Sequence, residues 1–158
     1  MSIPPAQFKD LLANWASGVT IVTSRAGSRV QGMTVSAFCS VSLRPPLVLV
    51  CASKDTITHG IVQESKVFSV SVLAADQGEL SNRFASKKDE DRRFEGLHCD
   101  DGATGCPRIP GALACLDCRV VEAVDAGDHV VYIGEVVAGD VGSAPPLVFF
   151  RSRYATLA

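Results

Sequence analysis

The alternation of apolar and polar positions is clearest between residues 32 and 54. Residues 32–43 read GMTVSAFCSVSL, with small hydroxyl residues between apolar ones, and a turn at 44–46 leads into the continuous apolar segment 47–51. Side chains two residues apart share one face of an extended strand. The pattern therefore predicts two strands beside a polar seam, whose hydroxyls either serve a ligand or face water on a half-exposed antiparallel sheet. The seam residues are Thr34, Ser36, Ser40 and Ser42.

Helical periodicity marks the beginning of the chain. Apolar residues recur at i, i+3, i+4 and i+7 after Pro4 and Pro5, which predicts an amphipathic helix whose apolar stripe packs in the core. The stripe consists of Phe8, Leu11, Leu12 and Trp15. Two further helices are expected, one over 56–64 and one within 74–88, where Asp76 is the candidate N-cap and Glu79 its capping-box partner.

Strand-like alternation fills most of the remaining sequence. We predict strands at 18–24, 67–73, 112–124, 130–141 and 147–150, with a hairpin loop at 26–28 and a four-residue loop at 125–128. Residues 96–111 are rich in glycine and proline and should form a surface loop. About six or seven strands joined mostly by hairpins favour a closed antiparallel barrel over a doubly wound sheet.

Length and charge narrow the functional classes. The 158 residues suit a single domain, residues 1–158, and the net charge of −2 with scattered basic residues argues against a nucleic-acid partner. No apolar run is long enough to span a membrane, and the chain begins MSIPPAQFKD rather than with a cationic and apolar leader. We therefore expect a cytoplasmic protein without membrane contact.

Six cysteines raise the question of disulfides or a metal. Cys115 and Cys118 form a CxxC, but the surrounding sequence predicts a strand, in which positions i and i+3 face opposite sides. Buried apolar thiols are the favoured interpretation, and no metal site is expected. The GxGxxG, GxxxxGK[ST], GxSxG and HExxH motifs do not occur, which disfavours a nucleotide enzyme of the doubly wound type.

Two charged positions lie where a ligand could bind. Lys54 precedes the helix over 56–64, whose N-terminal amides could hold a phosphate; alternatively Lys54 is solvated and Asp55 is the N-cap. Arg83, with Phe84 and Ser86, either closes over a ligand or is a cation placed near a helix C-terminus.

Four segments together resemble the flavin reductase-like family, the reductase components of two-component flavin-dependent monooxygenases. They read GMTVSAFCSVSLRPPLVLVC, NRFASKKDEDRRFEG, GALACLDCRVVEAVDAGDHVVYIGEVV and PPLVFFRSRY, and they occur in family order over nearly the whole chain. The resemblance implies a mainly β fold, a split antiparallel Greek-key β-barrel with a few short peripheral helices. It further implies a homodimer that binds FMN or FAD at its interface, takes hydride from NADH or NADPH onto flavin N5, and passes reduced flavin to a partner monooxygenase.

The resemblance also assigns residues. The segment 34–38 would line the isoalloxazine edge, and Ser40 and Val41 would extend that wall. Ser53, Lys54 and Thr56 would lie near the phosphate. His129, in a glycine-aspartate-histidine turn, is similar to a residue beside the nicotinamide and is the catalytic candidate; the alternative is a turn histidine that caps a hairpin. The full set of expected cofactor-binding positions is Thr34, Val35, Ser36, Ala37, Phe38, Ser40, Val41, Ser53, Lys54, Thr56, Arg83, Phe84, Arg151 and Tyr154.

One position departs from the family pattern, because the family often has serine where this chain has Asp55.

Two alternative functions stay open. One is a non-catalytic flavin-binding redox or sensor module of the same fold. The other, an oxidase of pyridoxamine phosphate, would need an arginine cluster for the substrate phosphate, and the sequence does not supply one.

Overall fold

The computed structural model describes residues 1–88 and 90–157, which fold mainly into antiparallel β-structure. Three α-helices and one 3₁₀ turn lie between the strands. In chain order the elements are α1 (Pro5–Leu12), β1 (Ser17–Gly18), β2 (Thr20–Ala26), β3 (Arg29–Val35), β4 (Phe38–Leu43), β5 (Pro46–Ser53), α2 (Ile57–Ser65), β6 (Val67–Val72), α3 (Gly78–Ala85), the 3₁₀ turn Glu90–Arg92, β7 (Ala114–Ala126), β8 (His129–Val141), β9 (Val148–Phe150) and β10 (Arg153–Ala155).

Seven strands form one antiparallel sheet in the order β3-β2-β6-β7-β8-β5-β4. Its two edges, β3 and β4, are consecutive in sequence and are separated only by Ser36 and Ala37. The Cys51 amide donates to the Ala37 carbonyl at 3.0 Å, which ties this link to β5. The chain thus crosses from one edge of the sheet to the other. A second antiparallel sheet has the strand order β1-β9-β10.

Two apolar clusters hold the fold together. The larger one lies against the long sheet and includes Val22, Val50, Phe68 and Tyr132, each 1% exposed or less. The second lies where α3 meets the N-terminal strands, and in it Phe84 is fully buried. At about 25 cal/mol per Å² of apolar area, burial of such side chains is the main favourable contribution to folding.

The first helix forms as predicted, but its apolar stripe is not part of the core. Phe8, Leu11, Leu12 and Trp15 are 55%, 58%, 50% and 76% exposed, and α1 has no buried residue. The prediction of a core-facing stripe was wrong for the single chain, because none of the described elements covers this face. The stripe is therefore an apolar surface that stays exposed to solvent in the single folded chain.

Neither Asp55, the alternative N-cap of α2, nor Asp76, the predicted N-cap of α3, is the N-cap observed. Thr56 caps α2, since its hydroxyl accepts from the His59 amide at 3.2 Å, whereas Asp55 bonds to other side chains. Gln77, not Asp76, is the N-cap of α3, and it makes no side-chain cap bond there. Its Oε1 instead accepts from the Ala74 amide, which closes the turn before the helix.

The polar seam is divided between two strands. Thr34 ends β3 and Ser36 lies in the link, whereas Ser40 and Ser42 belong to β4, with a register shift between them. The four hydroxyls therefore do not share one face, since the strand break and the bulge change the alternation.

Several strand boundaries also differ from the predictions. Residues 18–24 are divided at Val19 between two sheets, and β10 was not predicted. The loop at 125–128 is a two-residue turn, Gly127 and Asp128, because Gly127 adopts φ +67°, a conformation that favours glycine. The remaining strands lie close to their predicted positions.

A buried ion pair anchors the irregular segment 96–111. Asp117 on β7 is fully buried, and it accepts hydrogen bonds from Arg108, from Ser69 and from the Ala103 amide. Burial alone would raise the pKa of Asp117, but the hydrogen bonds from Arg108 and the Ala103 amide outweigh it and leave the pKa lowered. The segment was predicted as a surface loop, yet Cys106 and Ile109 within it are buried.

The six thiols are all free, and their environments differ. Cys106 and Cys118 are buried, and burial raises the pKa of Cys118 to about 12. Cys39 is exposed, so the expectation of buried thiols fails there. Across residues 1–88 and 90–157 there is no group of three or more His, Cys, Asp or Glu suited to a metal ion. In the same residues no helix has the length and apolar character that a bilayer crossing needs.

Candidate functional site

A cavity of about 260 Å³ opens at the link between β3 and β4. Its walls come from the end of β3, the end of β5, the start of β8 and the segment after α3. The residues that line it are Met33, Thr34, Val35, Ser36, Ala37, Cys51, Ser53, Thr56, Phe84, Ala85, Lys87, Glu90, Arg93 and His129. Most of the residues expected to bind a flavin ring or its phosphate are thus together in one place.

The strand break supplies exposed backbone to this cavity. The Ser36 carbonyl accepts from the Phe38 amide at 2.9 Å, and the Ala37 carbonyl accepts from Cys51. The amides of Ser36 and Ala37 donate to no protein atom within the described residues. Thr34 differs, because its hydroxyl is already bound to the Ser81 carbonyl at 2.6 Å. The link therefore offers free main-chain donors beside an apolar floor that includes Val35 and Phe84.

Two further cavities adjoin the same link. A larger one, of about 540 Å³, also includes Ser36, Ala37 and Cys51. Its other walls include Phe38 and three residues of the N-terminal apolar stripe, Phe8, Leu12 and Trp15. A smaller one, of about 160 Å³, includes Thr34, Ser36 and Tyr154. The Tyr154 hydroxyl donates to Oδ1 of Asn82 at 2.7 Å and lies 2.9 Å from the Ser81 hydroxyl, and these contacts fix the ring on α3. Ser36 of the link therefore lines all three cavities.

His129 begins β8 opposite Ser53 of β5. Its Nδ1 lies 2.7 Å from Oδ1 of Asp128, and the hydrogen bond from His129 lowers the pKa of that carboxyl. An ionised carboxylate can only accept, so Nδ1 donates the proton in this hydrogen bond. The turn thus orients the His129 ring at the cavity wall.

Charged side chains form one rim of the cavity. Lys87 lies 2.5 Å from Oδ2 of Asp55, and the Ser53 hydroxyl donates to Oδ1 of the same carboxylate at 2.6 Å. The hydrogen bonds from Lys87 and Ser53 lower the pKa of Asp55 to about 2. The pair keeps its charges at neutral pH, although both side chains are largely exposed.

Arg93 is a lining residue that the sequence did not reveal. It is only 4% exposed, and its Nη atoms donate to the carbonyls of Gly32 at 2.8 Å and of Ser86 at 2.5 Å. Burial lowers its pKa against the opposing effect of Glu90, and its Nε has no partner in the described residues. The run DEDRRFE is highly charged, which is typical of an exposed segment. The apolar Phe94 next to Arg93 is the one sequence signal that this part of the run could be buried.

Several expected site residues lie elsewhere in the single chain. Lys54 is bound to Asp125 at 2.8 Å and to the Gly127 carbonyl. Arg83 donates to the Glu95 carbonyl in a separate surface cleft, and Arg151 contacts Asn14 after α1. Ser40 and Val41 are exposed on β4. None of these five lines the cavity at the link, within the residues that the structure describes.

Comparison with solved structures defines the class of fold. The chain superposes on the NADH:FAD oxidoreductase SgcE6 of Streptomyces globisporus C-1027, solved in complex with NAD and FAD fragments, with a TM-score of 0.91. The two sequences are 33% identical, and the alignment covers 100% of this chain and 97% of the other. The fold is therefore the split barrel of the flavin reductases.

Sequence comparison gives the family. The profile described as "Flavin reductase like domain" matches residues 12–158. The FMN reductase (NADH) SmoA of Agrobacterium fabrum is 41% identical over 142 residues, 90% of this chain and 80% of its own length. The reductase component of 4-hydroxyphenylacetate 3-monooxygenase from Thermus thermophilus is 38% identical over 151 residues, 95% of each chain. This chain belongs to the flavin reductase-like family.

The cavity is chemically suited to a flavin. Such a ligand needs a slot for a planar ring, donors at the polar edge of the ring and a cation for the phosphate. The apolar floor, the free amides of Ser36 and Ala37, and Lys87 at the rim meet these needs.

Proposed function

We propose that this protein is an NAD(P)H-dependent flavin reductase that supplies reduced flavin to a partner monooxygenase. The observation that carries the proposal is the cavity at the β3–β4 link in a chain that matches the family over residues 12–158. The Thermus thermophilus relative, named as the reductase component of a monooxygenase, supports the existence of an oxygenase partner.

The site residues suit hydride transfer, which needs no nucleophile. A bound flavin would supply the electron-accepting ring and a dihydronicotinamide the hydride. The protein has to hold two flat rings with their reacting atoms about 3 to 3.5 Å apart. The amides of Ser36 and Ala37 would orient the flavin edge, and His129 would lie beside the nicotinamide.

The names of two relatives indicate which flavins and nicotinamides this protein could use. SmoA is named for FMN and NADH, whereas SgcE6 is named for FAD and NADH. We accordingly propose FMN or FAD as flavin and NADH or NADPH as hydride donor.

A homodimer is proposed from the outer face of the long sheet. On β5, Val48, Val50 and Ala52 point into the core, yet the alternate residues Leu49 and Cys51 are also apolar and only half-buried. They continue in register into Ile133 and Val131 on β8. A strand that is apolar on both faces is typical of one covered on both sides. A second copy would cover this face, and the α1 stripe offers further apolar surface for the contact.

The test is turnover with added flavin. Purified protein is mixed with NADH or NADPH and catalytic amounts of FMN, FAD or riboflavin in air, and the nicotinamide absorbance is followed. We expect sustained oxidation that depends on the flavin. Flavin binding without turnover would instead support the non-catalytic redox or sensor module.

A further inference from the structure

We infer that Asp55 is a built-in competitor for the flavin phosphate, which makes this protein hold phosphorylated flavins loosely and release them readily. The inference rests on the proposed function, because it concerns the phosphate end of the proposed flavin site. It assigns a role to the residue at which this chain departs from the serine expected there.

The geometry places the Asp55 carboxylate on two groups that line the cavity. Its oxygens take the Nζ of Lys87 at 2.5 Å and the hydroxyl of Ser53 at 2.6 Å. Both are donors of the kind that a phosphate would use, a cation and a neutral hydroxyl. The carboxylate thus already binds the donors that would otherwise receive a ligand anion.

Other cations near the rim are also engaged. Lys54 is held by Asp125 and the Gly127 carbonyl, and Arg93 is held by two carbonyls and by Glu90. Lys87 is the cation with the most exposed ion pair at the cavity, with 68% of its side chain accessible and 62% of that of Asp55. Exposed pairs of this kind are weak and exchange readily. A phosphate can therefore displace Asp55 from Lys87, but it then lies beside an unpaired carboxylate.

The cost to the ligand must increase with the charge of its phosphate. Riboflavin has no phosphate, whereas the monoester of FMN carries about −1.5 to −2 at pH 7 and the two phosphates of FAD each carry a single negative charge. Repulsion from one carboxylate should therefore weaken the binding of FMN and of FAD and leave riboflavin binding unchanged. A general folding effect of residue 55 would instead alter the binding of all three flavins.

The experiment measures the dissociation constants of oxidised riboflavin, FMN and FAD by isothermal titration calorimetry, without nicotinamide. We expect Asp55→Asn to tighten FMN and FAD about three- to tenfold at physiological ionic strength, with riboflavin unchanged. Asp55→Ser, which introduces the residue that the family resemblance leads us to expect there, should give the same result. Lys87→Met should weaken FMN binding more in the Asp55→Asn background than in the native one.

Glu64→Gln is the matched control. Glu64 lies on α2, the helix that begins two residues after Asp55, and forms a similarly exposed ion pair with Arg29, away from the cavity. The control should leave all three constants unchanged. Equal tightening of the three flavins, or no change in any, would overturn the role of Asp55 while leaving the proposed function intact. Absence of binding of every flavin by native protein and variant alike would overturn the proposed function and this inference with it.

Discussion

At the scale of single residues, the turn that holds His129 makes a specific prediction. Because Asp128 binds Nδ1, the His129 ring is fixed at the cavity wall. Its side chain is 43% exposed there and is not part of the core. Replacing His129 with Ala should raise the KM for NADH about tenfold, the equivalent of losing about 1.4 kcal/mol of binding. Steady-state kinetics and flavin titration measure the two effects separately.

The flavin dissociation constant should stay nearly unchanged in His129→Ala. His98→Ala, which removes an exposed histidine outside the site, is the control and should alter neither value. Equal loss of affinity for flavin and nicotinamide would show that His129 supports the structure of the hairpin instead.

A second histidine should make stability depend on pH. His59 is 9% exposed, and its Nδ1 lies 2.8 Å from the Tyr132 hydroxyl. Burial, and secondarily Lys54, lowers the pKa of His59 below its ordinary value of 6.5. The unfolded chain then binds a proton that the folded chain does not between those two pKa values. The contribution of His59 is therefore fully present above pH 6.5 and is lost as the pH falls below it.

Urea unfolding between pH 7.5 and 5 tests this. The midpoint should fall with pH in the native protein, and His59→Gln should flatten that part of the profile. His98→Gln should retain the native slope, because His98 is exposed. An unchanged slope in His59→Gln would refute the assignment.

At the scale of elements, the buried Asp117 should be the strongest polar contributor to the packing of segment 96–111. Asp117→Ala leaves Arg108 and the Ala103 amide without their shared acceptor, and the expected loss is about 3 to 5 kcal/mol of unfolding free energy. Asp140, 76% exposed, also pairs with Arg108, and Asp140→Asn should cost less than about 1 kcal/mol. Denaturant unfolding compares the two variants, and similar losses would contradict the dominance of the buried partner.

The elements that the sequence predicted well are those in which local pattern and tertiary packing agree. The strands β6, β7 and β8 alternate in sequence and are half-covered in the sheet, so their ends were placed within a few residues. The α1 stripe was misassigned because periodicity shows which side is apolar but not whether anything covers it. Asp55, the alternative cap of α2, is instead bound by Ser53 and Lys87, and the N-cap of α3 is Gln77, one residue after the predicted Asp76.

The part of the candidate site that consists of the backbone segment between β3 and β4 was predictable from the sequence. The segment 34–37 was found through its hydroxyls and its resemblance to the family, and it does line the cavity. Arg93 was not found, since burial of a guanidinium on carbonyls 61 and 7 residues away depends on the tertiary fold. The ion pairs of Lys54 and Lys87 were not predictable either. The carboxylates that they contact, those of Asp125 and Asp55, are distant in sequence or are brought near only by the tertiary fold.

At the scale of the whole molecule, the single chain leaves one coherent apolar face open. In register, Cys39, Leu49 and Ile133 form one row across β4, β5 and β8, and Cys51, Val131 and Val124 form the next across β5, β8 and β7. All six are half-buried or exposed, although the opposite face of the same strands is core. Monomeric proteins rarely expose contiguous apolar patches of this kind without a partner.

The dimer proposal therefore predicts a coupled loss of assembly and flavin affinity. Ile133→Arg places a charge in the middle of the face, and sedimentation equilibrium should show a monomer where the native protein is a dimer. Because Cys51 of this face also lines the cavity proposed for the flavin, flavin binding should weaken together with dimerisation. Val141→Arg, at an 84% exposed position at the end of β8 and outside both rows, should leave both properties unchanged. A monomeric Ile133→Arg protein that binds flavin with native affinity would show that each chain builds its site alone, and a native protein that sediments as a monomer would refute the dimer itself.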